Sequence, residues 1–185
     1  MSRLSLASRD IIPEDQVDLF DQLVKKHGLS AHATASIFVR VPRIWRIDRD
    51  LGDYLIRGSS LTQDVIDLVF LVVGRELDCQ FMWDLHAGPA IKAGFTRELL
   101  EALRHDTELP ELSDKHMAVI HYGREIYRNH VVSYGTFSMV KELFGESGVV
   151  DLGLLFGRLH MHALVLNGTD ADMHPKRTEP ILPIY

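Results

Sequence analysis

The sequence predicts an all-α protein built as one domain. A capped apolar run lies near the middle of the chain, apolar side chains repeat at helical spacing after it, and an Asn-Gly pair ends the last apolar segment. Apolar residues spaced at i, i+3, i+4 and i+7 share one face of a helix. A chain of 185 residues is ordinarily one domain and is long enough to bury a core.

Composition and charge exclude several classes of function. A hydrophobic content of 46% and a charged content of 25% are ordinary for a globular protein. The net charge is −6 and no basic cluster could follow a phosphate backbone, so nucleic acid is not an expected partner. No membrane partner is expected either, because the longest apolar run is short and contains Asp67, and the first ten residues lack the apolar core of a signal peptide. The single cysteine fits a reducing compartment, so we expect a cytoplasmic protein.

Residues 1–29 are predicted to form an arm followed by a helix. Pro13 can occupy the first turn of this helix, and Gly28 would stop it. Residues 30–57 then indicate two helices that meet near Pro42.

A buried central helix is predicted to begin near Leu61. Ser60 and Gln63 have the spacing of a capping box, and the run that follows is apolar nearly all round. Asp67 is the acid within this run. Burying an unpaired charge is unfavourable, so Asp67 must be paired, hydrogen-bonded or protonated. A structural ion pair with an arginine and a role in a site both remain open.

A second helix is predicted from about Arg75 to Ala93. Cys79, Met82 and His86 stand at i, i+3 and i+7, so they would share one helical face. A thiol, an imidazole and soft apolar groups would suit a small apolar pocket with a proton-transfer group. The alternative is that His86 is a hydrogen-bonded core histidine and Cys79 a small buried apolar residue.

The C-terminal half is predicted to hold further helices and an extended tail over residues 170–185. The predicted helices are 96–104, 113–129, 134–143 and 149–167. His160 and His162 lie in the last of them. Residues two apart on a helix point in different directions, so we predict no metal site here. The tail contains three prolines and would lie on a neighbouring surface.

Several of these segments resemble the carboxymuconolactone decarboxylase family, which belongs with the alkylhydroperoxidase-D-like proteins. The residues that carry the resemblance are Asp67, the segments 79–86 and 90–96, and the flanking segments 57–61, 130–145 and 149–167. The resemblance implies a single-domain helical bundle of that type, with the family domain at residues 30–169. It also implies a homo-oligomer, a trimer or a hexamer.

The resemblance further implies a cofactor-free decarboxylase or isomerase that acts on a small unsaturated carboxylic acid or lactone. His86 would be the general acid/base and Asp67 would orient it. Phe81, Met82 and Trp83 would shape the substrate pocket. A histidine of the last helix would also line it, and His160 is our candidate.

Arg57 is a separate candidate for substrate binding. It falls near the start of the Asp67 helix, and its guanidinium could hold a substrate carboxylate through two hydrogen bonds.

Two other functions remain open. Cys79 could be a reactive thiol activated by His86 and recycled by an external thiol, but Met82 replaces the second cysteine of the family's C-x-x-C, which excludes intramolecular disulfide turnover. The chain could also be a non-catalytic oligomer that binds a small molecule, since Asp67 replaces the family's usual Glu and Gln80 and Met82 replace acidic site residues. The Phe81-x-Trp83 pattern favours the decarboxylase.

Overall fold

Eight α-helices and no strand make up the described part of the computed structural model, which covers residues 2–28, 34–173 and 177–184. The helices are α1 (Val17–His27), α2 (Ala35–Phe38), α3 (Pro42–Asp53), α4 (Gln63–Glu76), α5 (Gln80–Lys92), α6 (Arg97–His105), α7 (Asp114–Arg128) and α8 (Tyr134–Thr169). Two short 3-10 turns precede α1, and a π-helical turn, Tyr54–Gly58, joins α3 to the loop before α4. The all-α prediction is confirmed.

α4 is the central helix, as its apolar sequence predicts. It packs against α5, α7 and α8, and its Val65, Leu68, Val69 and Val72 side chains are buried in the main core. Complete burial of each such side chain contributes about 1.5–3 kcal/mol relative to exposure. The rest of the molecule is therefore arranged around this helix.

The predicted capping box at the start of α4 is wrong. α4 begins at Gln63 and its N-cap is Thr62, with no side-chain cap. Ser60 bonds elsewhere: its backbone N–H donates to Asp151 Oδ2 at 3.3 Å and its hydroxyl lies 3.4 Å from the same oxygen. A buried carboxylate on α8 competes for the Ser60 hydroxyl, which therefore ties the loop to α8.

The predicted continuous helix from Arg75 to Ala93 is also wrong, because a turn separates α4 from α5. Asp78 adopts a left-handed conformation with φ 47°. Short acidic side chains tolerate this region better than most residues do, and the Asp78 carboxylate pairs with Arg75. Cys79 becomes the N-cap of α5, and its N–H donates to Gly74 O at 2.8 Å.

Residues 134–169 form one long element with a break at Gly145, where the sequence predicts a helix end. Gly145 has φ 72°, which a glycine adopts without strain. An 18-residue window of α8 has a mean hydropathy of 1.5, so α8 could cross a membrane by length and composition alone. Leu152, Leu155 and Leu159 are nevertheless part of the main core, and a core helix meets the same test.

Both ends of the chain pack on the helices. The N-terminal arm adds Ala7 and Ile12 to a small second core around Phe20 and Trp45. In the tail, Leu182 is 2% exposed and joins the main core. The predicted domain boundary between residues 29 and 30 lies outside the described residues.

Candidate active site around His86

His86 lies on α5 against the ring of Phe70 from α4. The two ring centroids are 3.7 Å apart and the planes differ by 15°, so the rings are stacked. Among the described residues, no hydrogen bond or ion pair holds the imidazole. Burial disfavours the charged imidazolium and lowers the pKa of His86 to about 4. His86 is therefore neutral at pH 7.

His86 opens onto a cavity of about 190 Å³. Aromatic and apolar side chains form part of the wall, and a polar cluster from α3 and α8 forms another part. The lining residues are Thr34, Phe38, Trp45, Asp48, Arg49, Ile56, Phe70, His86, Arg158 and His162.

The polar cluster centres on Asp48, which is buried together with Arg158 and His162. Arg158 donates from Nε to Asp48 Oδ1 at 2.8 Å and from Nη2 to Oδ2 at 3.0 Å, and His162 Nε2 lies 2.7 Å from Oδ1. Burial alone would raise the pKa of Asp48, but the hydrogen bonds from His162 and Arg158 outweigh burial and hold that pKa below its usual range. The carboxylate therefore stays ionised.

Two arginines give the cavity cationic groups. Arg158 uses Nε and Nη2 for Asp48, whereas its Nη1 has no hydrogen-bond partner among the described residues. Gly52 leaves space for this guanidinium, since a Cβ at that position would lie 2.6 Å from Arg158 Nη2. The buried Nε of Arg49 also has no partner, and its Nη2 is 3.9 Å from Asp53 Oδ1. Such a wall can hold an organic anion.

Asp67 does not make the predicted contact with His86. It lies on α4 one turn before Phe70 and accepts a hydrogen bond from Gln63 Nε2 at 2.8 Å. Burial raises the pKa of its carboxyl group. The alternative prediction, an ion pair with an arginine, is also absent from the described residues. Phe70 rather than Asp67 therefore orients the imidazole.

The predicted site residues of the 79–83 segment lie in the core. Cys79 is 0% exposed, and burial raises the pKa of its thiol. Phe81 and Met82 are members of the main core and do not line the His86 cavity. Trp83 faces the C-terminal tail, where its Nε1 donates to Pro180 O at 3.0 Å. Cys79, Met82 and His86 therefore do not meet in one pocket.

Arg57 and His160 also lie outside this cavity. The side chain of Arg57 is 74% exposed and sits 3.7 Å from Asp53. His160 lines a different cavity between α7 and α8, whereas His162 lines the one around His86. The prediction that the two histidines point in different directions is thus confirmed. Among the described residues, no group of three or more His, Cys, Asp or Glu side chains could hold a metal ion.

Sequence reasoning missed the cluster of Asp48, Arg158 and His162. One usable signal existed: Arg158 and His162 are spaced i, i+4 in the apolar C-terminal half of α8, so they share a face. Asp48 offered none, because it is one of many charged residues along α3.

Solved structures of three bacterial proteins share this fold. An uncharacterised peroxidase-related protein from Ralstonia eutropha JMP134, described as an alkylhydroperoxidase AhpD core, has a TM-score of 0.71 and 13% identity, and covers 95% of this chain and 93% of its own. A peroxidase-related protein from Silicibacter sp. TM1040 has a TM-score of 0.71, 14% identity and the same coverage. A protein of unknown function from Agrobacterium tumefaciens, described as a candidate antioxidant defence protein AhpD, has a TM-score of 0.65 and 14% identity, and covers 73% of this chain and 93% of its own.

No protein-family model matches the chain, and no curated protein matches it at a significant level. At identities of 13% and 14%, the solved structures establish the architecture rather than the chemistry. The predicted helical bundle is confirmed by them: this chain has the alkylhydroperoxidase AhpD core fold.

Proposed function

We propose that the chain is a cofactor-free lyase or isomerase for a small unsaturated carboxylic acid or lactone, with His86 as the proton-transfer group. The observation that carries this proposal is an imidazole, its pKa lowered by burial, that opens onto a cavity with two guanidinium groups in its wall. The arginines would bind the carboxylate of the substrate, and the imidazole would transfer a proton at its reacting carbon. Arg49 and Arg158 replace Arg57 as the proposed anchors, because Arg57 lies outside the cavity.

Burial explains how one imidazole could act in this reaction. A pKa near 4 leaves His86 neutral at pH 7 before an anion binds. A bound anion would favour the imidazolium and raise that pKa, so the proton would be taken up with the substrate. Loss of CO₂ leaves an electron pair delocalised into a conjugated carbonyl. The imidazolium then gives its proton to carbon and returns to the neutral form, and the next proton enters from solvent with the next substrate anion, so the net change is one carboxylate and one proton converted to product and CO₂.

The thiol alternative finds less support in the geometry. A reactive thiol needs access to its substrate and a lowered pKa. Cys79 is fully buried, burial raises its pKa, and no hydrogen bond joins it to His86 among the described residues. A protein that binds a small acid without turnover remains the outcome that the activity assay separates from the lyase.

A homo-oligomer, a trimer or a hexamer, is part of the proposal. Large apolar side chains are exposed along one side of α8 at helical spacing: Val150, Leu154, Met161 and Leu164. Contact with a second copy would remove this strip from water.

The test is CO₂ release by the purified chain from 4-carboxymuconolactone and a panel of related unsaturated acids. We expect His86→Ala to lower kcat by about 10²–10⁴-fold, the usual contribution of a proton-transfer group, with an unchanged circular dichroism spectrum. Cys79→Ser should retain activity. Equal activity in His86→Ala would contradict the assigned role, and ligand binding without turnover of any acid would contradict the lyase.

A matched pair of arginines tests the anchor. Arg49 and Arg57 both lie near Asp53, at 3.9 Å and 3.7 Å, but only Arg49 lines the cavity. Loss of a charge-assisted hydrogen bond should raise KM about tenfold in Arg49→Gln. Arg57→Gln should leave KM within about twofold of the unmodified chain, because an exposed ion pair contributes little. The reverse pattern would restore Arg57 as the anchor.

A further inference from the structure

A second and larger cavity lies between α7 and α8. Its volume is about 540 Å³, and His160 lines it. His162, two residues further along α8, lines the cavity around His86. Residues two apart are separated by about 200° around a helix axis, so the two cavities lie on nearly opposite sides of α8.

Aromatic rings in edge and stacked contact form the wall of this second cavity. The Phe156 ring lies 5.7 Å from Tyr122 and 5.9 Å from Tyr127, and Tyr127 stacks on His160 at 5.5 Å. The Tyr127 hydroxyl donates to Phe156 O at 3.1 Å, which fixes that ring against α8. Rings held in this way present flat faces on which another ring can stack.

The wall also offers hydrogen-bond donors, and no acidic side chain among the described lining residues competes with a ligand for them. Among the described residues, nothing bonds to the hydroxyl of Tyr122, and burial raises its pKa so that it keeps its proton. His130 and His160 add two imidazoles. None of the described lining residues is acidic. The polar groups therefore favour a ligand that carries hydrogen-bond acceptors, and a carboxylate offers only acceptors, at two oxygens that could meet more than one of these donors.

Two glycines of α8 keep the cavity open. A Cβ at Gly153 would approach the Tyr122 hydroxyl at 3.3 Å, and a Cβ at Gly157 would meet nothing within 4 Å. Both residues line the cavity, and Gly157 is solvent-exposed, so a side chain added there would enter the open part of the cavity, which the chain's own side chains leave unfilled.

We propose that this cavity is a binding site for a flat aromatic carboxylate, separate from the site around His86. Its volume falls in the range of about 300–1,000 Å³ that small-molecule sites occupy. The ring of the ligand would stack on Tyr122, Tyr127 or Phe156, and its carboxylate would accept from Tyr122 and the imidazoles. This inference does not depend on the reaction proposed for His86.

Calorimetric titration of the full chain with 2-naphthoate tests the proposal. Gly157→Leu should fill the cavity and weaken binding by at least about tenfold, which corresponds to about 1.4 kcal/mol. Gly135→Leu is the matched control, because it makes the same change on α8 at an exposed position with nothing within 4 Å of the added Cβ. It should bind within about twofold of the unmodified chain. Tyr122→Phe keeps the ring, removes the hydroxyl and should weaken binding at least about tenfold, because the lost hydrogen bond is to a charged carboxylate.

A second cavity-filling variant distinguishes a loss of binding from a loss of folding. Ile126→Trp fills the same cavity from α7, and it should also weaken binding if Gly157→Leu proves unstable. Binding that survives both filling variants, or is lost only in Arg49→Gln, would place the ligand elsewhere and overturn the proposal. No detectable binding at millimolar 2-naphthoate would also overturn it. Gly157 lies between Leu154 and Met161 on the exposed strip of α8, so the oligomeric state of Gly157→Leu is measured beside its binding. If that variant dissociates, Ile126→Trp on α7 decides: weakened binding supports the proposal and unchanged binding overturns it.

Discussion

α8 separates two cavities that differ in size and in chemistry. The cavity around His86 measures about 190 Å³ and contains a buried ion pair, whereas the cavity around His160 measures about 540 Å³ and is lined by aromatic rings. Both take part of their wall from the same helix. The comparison shows how one helix can serve two chemistries when the side chains of its two faces reach different partners, Asp48 of α3 on one side and the tyrosines of α7 on the other.

The two cavities also differ in how strongly their parts depend on one another. Asp48 is held by Arg158 and His162 together, and Gly52 makes room for the guanidinium. Loss of any one group leaves a buried charge with too few partners. The aromatic cavity is held mostly by packing, which tolerates the loss of a single polar atom far better.

Asp48→Asn should be strongly destabilising. It leaves the buried guanidinium of Arg158 without its carboxylate, and removing one partner of a buried pair costs about 3–5 kcal/mol of unfolding free energy. Urea unfolding followed by circular dichroism would measure this loss of unfolding free energy. Asp50→Asn makes the same change at an exposed position of α3 and should stay within about 0.5 kcal/mol of the unmodified protein. Equal stability of the two variants would contradict the difference between the cavities.

The pH dependence of stability should report the burial of His86. Its pKa is about 4 in the folded protein and about 6.5 in an unfolded chain. Between these pH values the unfolded state binds more protons than the folded state does. The contribution of His86 to the free energy of unfolding therefore falls by up to about 3 kcal/mol as the pH drops from about 6.5 to 4. His86→Gln lacks this contribution, so urea unfolding at pH 7 and at pH 4 should show a smaller loss in the variant. Parallel losses in both proteins would mean that His86 is freely solvated.

The smallest effect is expected at the two tyrosines of the aromatic cavity. Tyr127→Phe removes the hydrogen bond to Phe156 O and should cost about 1 kcal/mol. Tyr122→Phe removes a hydroxyl that has no partner among the described residues and should change stability by less than about 0.5 kcal/mol. Thermal unfolding of the two variants side by side measures the difference. A larger loss for Tyr122→Phe would show that its hydroxyl already has a structural partner.

Local signals in the sequence predicted most of the fold. The predicted helices 96–104 and 113–129 correspond to α6 and α7, whose N-caps Thr96 and Ser113 accept hydrogen bonds from the first turns. Gly28 and Gly145 were predicted to end helices, and both have positive φ. The turn at Asp78 was missed because no glycine or proline marks it, and the left-handed conformation there is taken by an aspartate.

The candidate site was predicted only in part, because it depends on which helix faces meet. His86 was found from its spacing and its resemblance to a family, and it does face a cavity. Asp48 and Arg158 are 110 positions apart, and nothing local in either segment indicates that they pair. Arg57 and His160 were chosen for plausible local reasons, and the packing of α3 and α8 put Arg49, Arg158 and His162 at the cavity instead.

The shared wall of α8 sets how this sequence could change among related chains. Arg158 and His162 contact Asp48 of α3, whereas Phe156 contacts Tyr122 and Tyr127 of α7. Positions of α8 should therefore covary in two interleaved sets, one with α3 and one with α7. Because successive members of one set lie three to four residues apart, either cavity could acquire a new ligand through substitutions that leave the other set untouched. An insertion of one residue between Phe156 and His162 would instead rotate one set relative to the other and disrupt both cavities at once.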